Sequence, residues 1–318
     1  MKTPPNILCV SANPAIDRRI HLDRLRLGEV NRALKAEPAP GGKAAHVAFV
    51  AQMLGAKVRW LAFLGGAEGE SCSSGIAARG ITPVAVRIAA PTRTNLELID
   101  SVSGEITEIL EPGPTISNDE KHRFLEEYRA ELRDLPIVVL SGSLPAGLGT
   151  SFYADLIKAA KDAGCRVFLD TSGEPLSQGI DAAPHLIKPN LAEASTLMGR
   201  PINSVEDAIQ AGRELRSRGV ETAIISLGPL GAIVVNGTSV LHGTAPMVTA
   251  LSTVGSGDSF LAGWTVAAAE GRTAADCLRN GIACGTANCL AESPGIFSFD
   301  SVAEFLPQVA IRELGSQS

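Results

Sequence analysis

The chain has 318 residues, of which 45% are hydrophobic and 19% are charged, and its formal net charge is −6. A chain of this length forms one large domain or two smaller ones around a sizeable core. The net negative charge argues against non-specific binding of nucleic acid, so a phosphorylated ligand would have to meet a local cluster of Arg or Lys. No apolar run approaches the length of a membrane span.

The six cysteines show neither CxxC nor zinc-ligand spacing. Two of them, Cys277 and Cys284, are seven residues apart on an apolar helical pattern, which is typical of buried thiols in a reducing compartment. The first residues run straight into a predicted strand and lack the hydrophobic stretch of a signal peptide. We therefore expect a cytoplasmic protein.

The first strand is predicted at residues 7–12, and a polar turn follows it. Asp17 ends this turn, where it either accepts hydrogen bonds from substrate hydroxyls or stabilises its own turn. Residues 18–37 are polar and have no helical periodicity, so they predict a hairpin that lies outside the main sheet.

Two adjacent glycines introduce the first predicted helix, which ends at Gly55. Gly42 allows a ligand to approach closely, and Lys43 can contact a phosphate, although the same spacing also describes a plain helix start. A strand at 58–64 and a helix at about 69–79 follow.

Segments 84–88, 95–100 and 105–110 alternate polar and apolar residues and predict antiparallel strands. Together with 18–37 they form a small sheet that covers one face of the main domain. Arg93 begins one of these strands, and its planar guanidinium matches the oxygens of a phosphate. The alternative is a solvated arginine on a strand.

From residue 118 onward, strands and helices alternate, which predicts a parallel sheet covered on both faces. The predicted helices are 118–133, 150–163, 191–198 and 204–218, and the strands are 137–141, 166–170, one before Lys188, and 222–227. Polar or glycine-rich turns follow these strands at Ser141, Asp170, Lys188 and Ser226. Such turns meet at one edge of a sheet, where an active site is expected.

The stretch 252–264 contains the most informative motif of the chain. Gly255 and Gly257 flank Ser256, and Asp258 follows where an apolar helical pattern begins. Glycines let successive N–H groups converge at a helix N-terminus, which attracts anions. An aspartate there is suited to deprotonating an alcohol while the amides hold a migrating phosphate. The alternative is an ordinary helix start with Asp near the cap. A second helix at about 273–290 and a short C-terminal helix complete the pattern.

Several of these stretches, in the same order and over nearly the full length, resemble motifs of the ribokinase/PfkB family of carbohydrate kinases. The most similar branch contains 1-phosphofructokinase, tagatose-6-phosphate kinase and the minor 6-phosphofructokinase. The matching stretches are 13–17, 28–32, 41–43, 92–95, 141–145, 188–193, 226–228 and 252–259. The resemblance implies a single ribokinase-like α/β domain over residues 1–318, with three α/β/α layers, a mostly parallel central sheet and a β lid from about 18–37 and 88–110.

The resemblance also implies an activity, which is Mg²⁺-ATP-dependent phosphorylation of a hydroxyl on a ketohexose phosphate. Asp258 corresponds to the catalytic base, and Gly255, Ser256 and Gly257 correspond to the anion hole. The acceptor would be held by Asp17, Gly42, Lys43, His46, Arg93 and Ser141. The nucleotide would be held by Lys188, Asn190, Ser226, Gly228, Gly231, Ile282 and Thr286. Asn190 and Glu193 would organise Mg²⁺ through water. A K⁺ site occurs beside the anion hole in relatives, and no residue here is assigned to it.

One position departs from the family pattern, because His46 stands where the family has an Asn that contacts sugar hydroxyls. An imidazole is bulkier and titrates near neutral pH, so the acceptor sugar can differ; the alternative is that His46 only repacks the helix start. Two rival functions remain open: a kinase of an unphosphorylated sugar or nucleoside, and a non-catalytic sensor of sugar phosphates. The predicted lid has no covering helices, so we expect two lids to pack together in a homodimer.

Overall fold

The computed structural model describes residues 3–133 and 135–315, which form a large sheet and a small sheet. With strands numbered in chain order, the large sheet has the spatial order β14-β13-β12-β11-β10-β9-β8-β1-β4-β5. Its strands are β1 (Asn6–Ser11), β4 (Lys57–Leu64), β5 (Thr82–Arg87), β8 (Ile137–Ser141), β9 (Arg166–Asp170), β10 (Leu186–Ile187), β11 (Thr222–Ser226), β12 (Ala232–Val235), β13 (Val240–Thr244) and β14 (Ala310–Gly315). The run from β11 to β5 is parallel, whereas β12, β13 and β14 are antiparallel.

Helices cover both faces of the large sheet. They are α1 (Lys43–Met53), α2 (Gly66–Ala77), α3 (Asn118–Glu131), α4 (Phe152–Asp162), α5 (Gly173–Asp181), α6 (Leu191–Met198), α7 (Val205–Ser217), α8 (Ser256–Ala269), α9 (Ala274–Cys289) and α10 (Phe299–Phe305). Side chains of β1 alternate between the two cores: Ile7 and Cys9 join the core with α1, α2 and α8–α10, while Leu8 and Val10 join the core with α3–α7. This period of two is the geometry of a pleated strand buried on both faces.

The small sheet has the order β3-β2-β6-β7, with β2 (Ala15–Leu22), β3 (Lys35–Gly41), β6 (Arg93–Asp100) and β7 (Ile106–Ile109). The predicted hairpin outside the main sheet is confirmed, although β2 begins three residues earlier and β3 extends to Gly41. β3 contains Pro38 and Pro40, which lack a donor N–H and are tolerated because β3 is an edge strand.

The assignment of segment 84–88 to the small sheet is wrong. β5 instead pairs in parallel with β4 at the edge of the large sheet, from Thr82 opposite Arg59 to Arg87 opposite Leu64. An alternating pattern describes a strand with one covered face and does not say which sheet it joins. The predicted antiparallel arrangement of 95–100 and 105–110 is confirmed by the pairing of β6 with β7, and β6 pairs in parallel with β2 on its other side.

Three further features complete the fold. α8 is buried along almost its whole length and packs closely on α9. This close approach requires glycine at position 263, because a Cβ there would lie 2.6 Å from the carbonyl oxygen of Asn280. All six cysteines are free thiols, five of them buried. Within 3–133 and 135–315, no helix combines the length and hydrophobicity needed to cross a membrane.

Candidate active site

A cleft of about 500 Å³ lies where the parallel strands of the large sheet end. Its floor includes Ser141, Asp170, Lys188 and Ser226, each at the carboxyl end of a parallel strand or directly after it. The small sheet forms the opposite wall. The cleft brings together the following predicted site residues: Asp17, Gly42, Lys43, His46, Arg93, Ser141, Lys188, Asn190, Glu193, Ser226, Gly255, Gly257 and Asp258.

The N-terminus of α8 opens directly into this cleft. Gly255 precedes the helix in the left-handed conformation, with φ 77° and ψ −4°, and no side chain caps the helix. The first-turn N–H groups of Gly257 and Asp258 therefore have no acceptor within the helix. The loop before α8 is held by Asn288 of α9, whose side chain donates to the Val254 carbonyl at 2.7 Å. The result is a fixed anion site whose glycines leave the approach open.

Asp258 is almost completely buried, and both of its carboxylate oxygens face cations. Oδ1 lies 3.0 Å from Nζ of Lys43, and Oδ2 lies 3.1 Å from Nδ1 of His46. Burial by itself would raise the pKa of Asp258, but Lys43 and His46 outweigh burial and lower it well below its usual range. Asp258 is therefore ionised, and each oxygen retains a lone pair for a further hydrogen bond.

His46 connects Asp258 to the carboxylate of Asp17. Its Nε2 lies 3.4 Å from Oδ2 of Asp17, whose Oδ1 accepts a hydrogen bond from Asn95 at 2.8 Å. Burial opposes protonation of His46, but the two carboxylates outweigh it and raise the pKa of His46 to about 10. At neutral pH the ring is an imidazolium between two carboxylates.

On the other side of Asp258, the alternation of charge continues towards Lys188. Nζ of Lys43 lies 3.1 Å from Oδ2 of Asp170, and Oδ1 of Asp170 lies 3.6 Å from Nζ of Lys188. Burial disfavours the charge on Lys43, yet Asp170 and Asp258 together raise its pKa. We call this series of six alternating charges the charged row; its members in order are Asp17, His46, Asp258, Lys43, Asp170 and Lys188.

Arg93 reaches the cleft from the small sheet with its guanidinium already oriented. Nη1 donates to the Glu111 carbonyl at 2.6 Å and Nη2 donates to the Asn13 carbonyl at 3.0 Å. The buried Nε has no partner. Glu97 and Glu108 face each other across β6 and β7 and line the same end of the cleft. Burial and the nearby Asp17 raise the pKa of both glutamates.

Asn190 and Glu193 form a reciprocal capping box at the start of α6. Oδ1 of Asn190 accepts from the Glu193 N–H at 2.9 Å, and Oε2 of Glu193 accepts from the Asn190 N–H at 2.9 Å. Each side chain thus has a local role that sequence reasoning did not assign. Oε1 of Glu193 takes no part in the box, and both residues line the cleft.

Five predicted site residues do not line this cleft. Gly228 and Gly231 bracket a 3-10 turn between β11 and β12, and Gly231 has φ 90°. Ile282 and Thr286 are buried on α9, where Ile282 packs against Gly243 of β13. Ser256 is the first residue of α8, and its hydroxyl lies 3.3 Å from Sγ of Cys289.

Several buried polar atoms of the cleft have no partner within the protein. They are Oδ1 of Asn13, Oδ1 of Asn95, Oγ of Ser141 and Oγ1 of Thr171. Buried polar groups are normally satisfied, so this set indicates a polar ligand. A Cβ at Gly257 would lie 3.2 Å from Nζ of Lys188, so the glycine keeps this ammonium accessible beside the α8 N-terminus. An ammonium next to free N–H groups fits the phosphates of a nucleotide.

The same end of the cleft offers oxygen donors to a metal ion. Glu193 provides a free carboxylate oxygen, and carboxylates with waters and substrate phosphates are the usual ligands of Mg²⁺. Among the residues that the structure describes, no group of three or more His, Cys, Asp or Glu is placed to hold a metal. The donor set thus fits a water-mediated ion that depends on the nucleotide's phosphates.

Several residues of the cleft had no role assigned from the sequence. Asp170, the last residue of β9, is central to the charged row; the sequence placed it at a strand end where an active site is expected but assigned it no role. Asn95, Glu97 and Glu108 lie within predicted strands, where period-two alternation places every second side chain on the cleft side. Asn13 lies two residues after the end of β1 at Ser11, and its side chain donates to Ser143 at 3.1 Å.

Comparison with known proteins extends over the whole fold. Residues 7–299 match the family described as pfkB family carbohydrate kinase. The 1-phosphofructokinase of Bacillus subtilis (strain 168) is 32% identical over 308 residues, which cover 97% of this chain and 100% of that protein. The tagatose-6-phosphate kinase of Staphylococcus epidermidis is 31% identical over 311 residues, which cover 97% and 100%. The crystal structure of phosphofructokinase-2 from Escherichia coli in complex with potassium superposes with a TM-score of 0.91 at 29% identity, over 96% of this chain and 99% of that one.

Proposed function

Because the chain belongs to the pfkB family of carbohydrate kinases, we propose that it transfers a phosphoryl group from Mg²⁺-ATP to a hydroxyl of a ketohexose phosphate. The predicted ribokinase-like fold and the predicted class of enzyme, a phosphotransferase with an alcohol acceptor, are confirmed. Fructose 1-phosphate, fructose 6-phosphate and tagatose 6-phosphate are the acceptors we propose. The relatives from Bacillus subtilis and Staphylococcus epidermidis, which are named for two such activities, support this choice.

One observation carries the proposal, which is the placement of Asp258 and Arg93 on opposite walls of one cleft. Asp258 lies at the open N-terminus of α8, and Arg93 extends from the small sheet with an anchored guanidinium. A carboxylate beside free N–H groups suits the reacting hydroxyl, whereas a guanidinium suits a phosphate that is already on the acceptor.

The transfer step follows from these positions. The acceptor hydroxyl oxygen forms a bond to the γ-phosphorus, the bond between this phosphorus and the bridging oxygen of ADP breaks, and the hydroxyl proton moves to Asp258. In a loose transition state the hydroxyl proton becomes acidic only as its oxygen bonds to phosphorus, and it is transferred at that stage. Asp258 is therefore a sufficient base although its pKa is low. The N–H groups of α8, together with Lys188, stabilise the charge on the migrating group. A bound Mg²⁺ would neutralise further phosphate charge, with Glu193 as its anchor through water.

The test is a panel of acceptors with ADP release as the measurement. The panel contains the three hexose phosphates, pentose phosphates and the corresponding free sugars. We expect kcat/KM for at least one hexose phosphate to exceed the value for every free sugar. Equal or higher kcat/KM values for free sugars would overturn the proposal in favour of an unphosphorylated acceptor. The carboxylates of Glu97 and Glu108, which line this end of the cleft, would then be the groups that disfavour an acceptor phosphate. Replacing K⁺ by Na⁺ in the same assay tests whether turnover depends on K⁺.

Arg93→Ala sharpens this test. Loss of a charge-assisted bond worth roughly 1.5–3 kcal/mol predicts a fall of about one to two orders of magnitude in kcat/KM for the sugar phosphate, with KM for ATP nearly unchanged. Arg87→Ala is the control, since Arg87 pairs with Glu70 at the edge of the large sheet, away from the cleft. An equal effect of Arg93→Ala on ATP and acceptor would refute the phosphate-clamp role.

We also propose that the small sheets of two chains pack together. Leu27 and Val30, in the connection between β2 and β3, have relative exposures of 91% and 83%. Large apolar side chains that are this exposed favour association. Sedimentation is expected to show a dimer at micromolar concentration for the wild type and for the control Phe299→Asp, and a monomer for Leu27→Asp/Val30→Asp. A fully active wild-type monomer would rule the dimer out.

A further inference from the structure

His46 occupies an unusual position between the two carboxylates of the acceptor side of the cleft. His46 is 7% exposed, and its Nδ1 lies 3.1 Å from Oδ2 of Asp258 while its Nε2 lies 3.4 Å from Oδ2 of Asp17. Because each ring nitrogen already faces a carboxylate, His46 has no nitrogen left to contact a sugar hydroxyl. The bridge therefore speaks against the direct sugar contact expected from the sequence, and it also makes His46 more than a packing residue.

The elements around His46 determine its charge. Asp17 approaches from β2 and Asp258 from α8, and Glu108 on β7 adds a third carboxylate that interacts with the ring at longer range. Lys43, on the same helix as His46, is the opposing cation, but its ammonium is paired with Asp258 and Asp170. The acidic groups outnumber the cation, so the surroundings favour an imidazolium that donates from both nitrogens.

We propose that His46 is a positioning residue for phosphoryl transfer, which as an imidazolium holds the base Asp258 and the acceptor-binding Asp17 in one unit. This inference rests on the proposed function. Asp17 is in turn held by Asn95 and by the Gly42 N–H, so the bridge connects the helix that carries the base to the small sheet. Acceptor binding at Asp17 and the orientation of the base at Asp258 are thereby coupled through a single side chain.

The coupling has a consequence for the pH dependence. His46 and Lys43 both lower the pKa of Asp258, so removing the imidazolium lets this pKa rise. The acid limb of the pH profile is the fall in kcat/KM at low pH, where Asp258 becomes protonated and inactive. This limb then moves to higher pH. A residue that only fills space would leave the acid limb where it is. Replacing a residue that contacts sugar hydroxyls would alter the ratios of kcat/KM among acceptors without moving the acid limb.

The activity test compares wild type with His46→Asn, which keeps a side-chain donor and removes the charge. We expect kcat to fall more than the acceptor KM rises, and the acid limb of kcat/KM to move up by about one pH unit or more. In His46→Ala, added imidazole is expected to restore part of kcat. His21→Asn is the control, since His21 lies on β2 like Asp17 but pairs with Glu37 away from the cleft. An unchanged kcat, or a loss confined to the acceptor KM, would overturn the proposal.

A second measurement needs neither substrate nor turnover. In the wild-type protein with ¹⁵N-labelled histidine, NMR titration should show His46 protonated at both nitrogens throughout the neutral range, with a pKa of about 10. Asp258→Asn and Asp17→Asn should each lower this pKa. A neutral His46 ring at pH 7.5 in the wild type would overturn the inference. Since this titration is independent of any acceptor, its failure is distinguishable from failure of the proposed kinase activity.

Discussion

Two helices, α8 and α6, begin at the same cleft, and their N-termini are built in opposite ways. α8 begins after Gly255, without a side-chain cap, and its first-turn carboxylate Asp258 turns towards Lys43 and His46. α6 begins with Asn190, and its first-turn carboxylate Glu193 turns back to close a capping box. Both helices thus have an acid in the first turn, but only α6 uses it to satisfy its own backbone.

The difference is between a first-turn acid that leaves the helix N-terminus open and one that closes it. Capping residues contribute about 1 kcal/mol to stability and occupy N–H groups that a ligand would otherwise bind. An uncapped N-terminus loses this contribution and keeps a site for negative charge. In the proposed mechanism, α8 therefore contributes the base and the N–H groups at the reacting end of the cleft, and α6 contributes Glu193 on the side of the metal ion.

The largest effect is expected from Asp258→Asn. The amide cannot accept the hydroxyl proton, so kcat should fall by on the order of 10²–10⁴, while nucleotide still binds. Asp276→Asn is the matched control, because Asp276 is a first-turn acid of α9 that bonds with its own N-cap Thr273. Steady-state kinetics with circular dichroism as a folding check make the comparison. A kcat for Asp258→Asn within threefold of wild type would remove Asp258 as the base.

The next effect tests the open form of the α8 N-terminus. Gly255→Ala forces an alanine into the left-handed backbone conformation, which costs roughly 1–2 kcal/mol of stability. The added Cβ would also lie 2.7 Å from Cβ of Pro294. We expect lower thermal stability and a fall in kcat/KM of about tenfold or more, because near-attack geometry is sensitive to shifts of about 1 Å.

Gly271→Ala controls for the backbone strain. Gly271 follows the other end of α8 with φ 74°, and a Cβ added there would have no heavy atom within 4 Å. This variant should lose stability through the same strain and keep full activity. If both variants lose activity equally, stability alone accounts for the effect, and the loop geometry before α8 has no specific role.

The smallest effect concerns the capping box of α6. Asn190→Ala should destabilise the protein by roughly 0.5–2 kcal/mol through loss of the cap. Ser204→Ala removes the matching capping box with Asp207 on α7, which lies outside the cleft, and should cost a similar amount. Only Asn190→Ala should also raise the Mg²⁺ concentration needed for half-maximal activity. Identical Mg²⁺ dependence in the two variants would confine the role of Asn190 to capping.

Most residues that line the cleft were predictable from the sequence, since strand ends and glycine-rich turns are local signals. Lys188, Ser226 and Asp258 were predictable at one edge of the sheet for this reason. The helix α5 was missed, because its sequence contains two glycines and a proline and so has low intrinsic helix propensity. Burial of Leu176 and Ile180 against the sheet stabilises that helix, which is a tertiary effect.

The role of His46 separates what the sequence determined from what the tertiary structure decided. The sequence by itself determined the alternating strands and helices and the open glycine turn before α8, because these depend on local periodicity and backbone freedom. It left His46 as either a sugar contact or a packing residue. His46 and Asp258 are 212 positions apart in the chain, so their hydrogen bond exists only after α1 and α8 pack side by side. The charge of His46 and the pKa of Asp258 follow from that contact, and a linear sequence carries no distance between them.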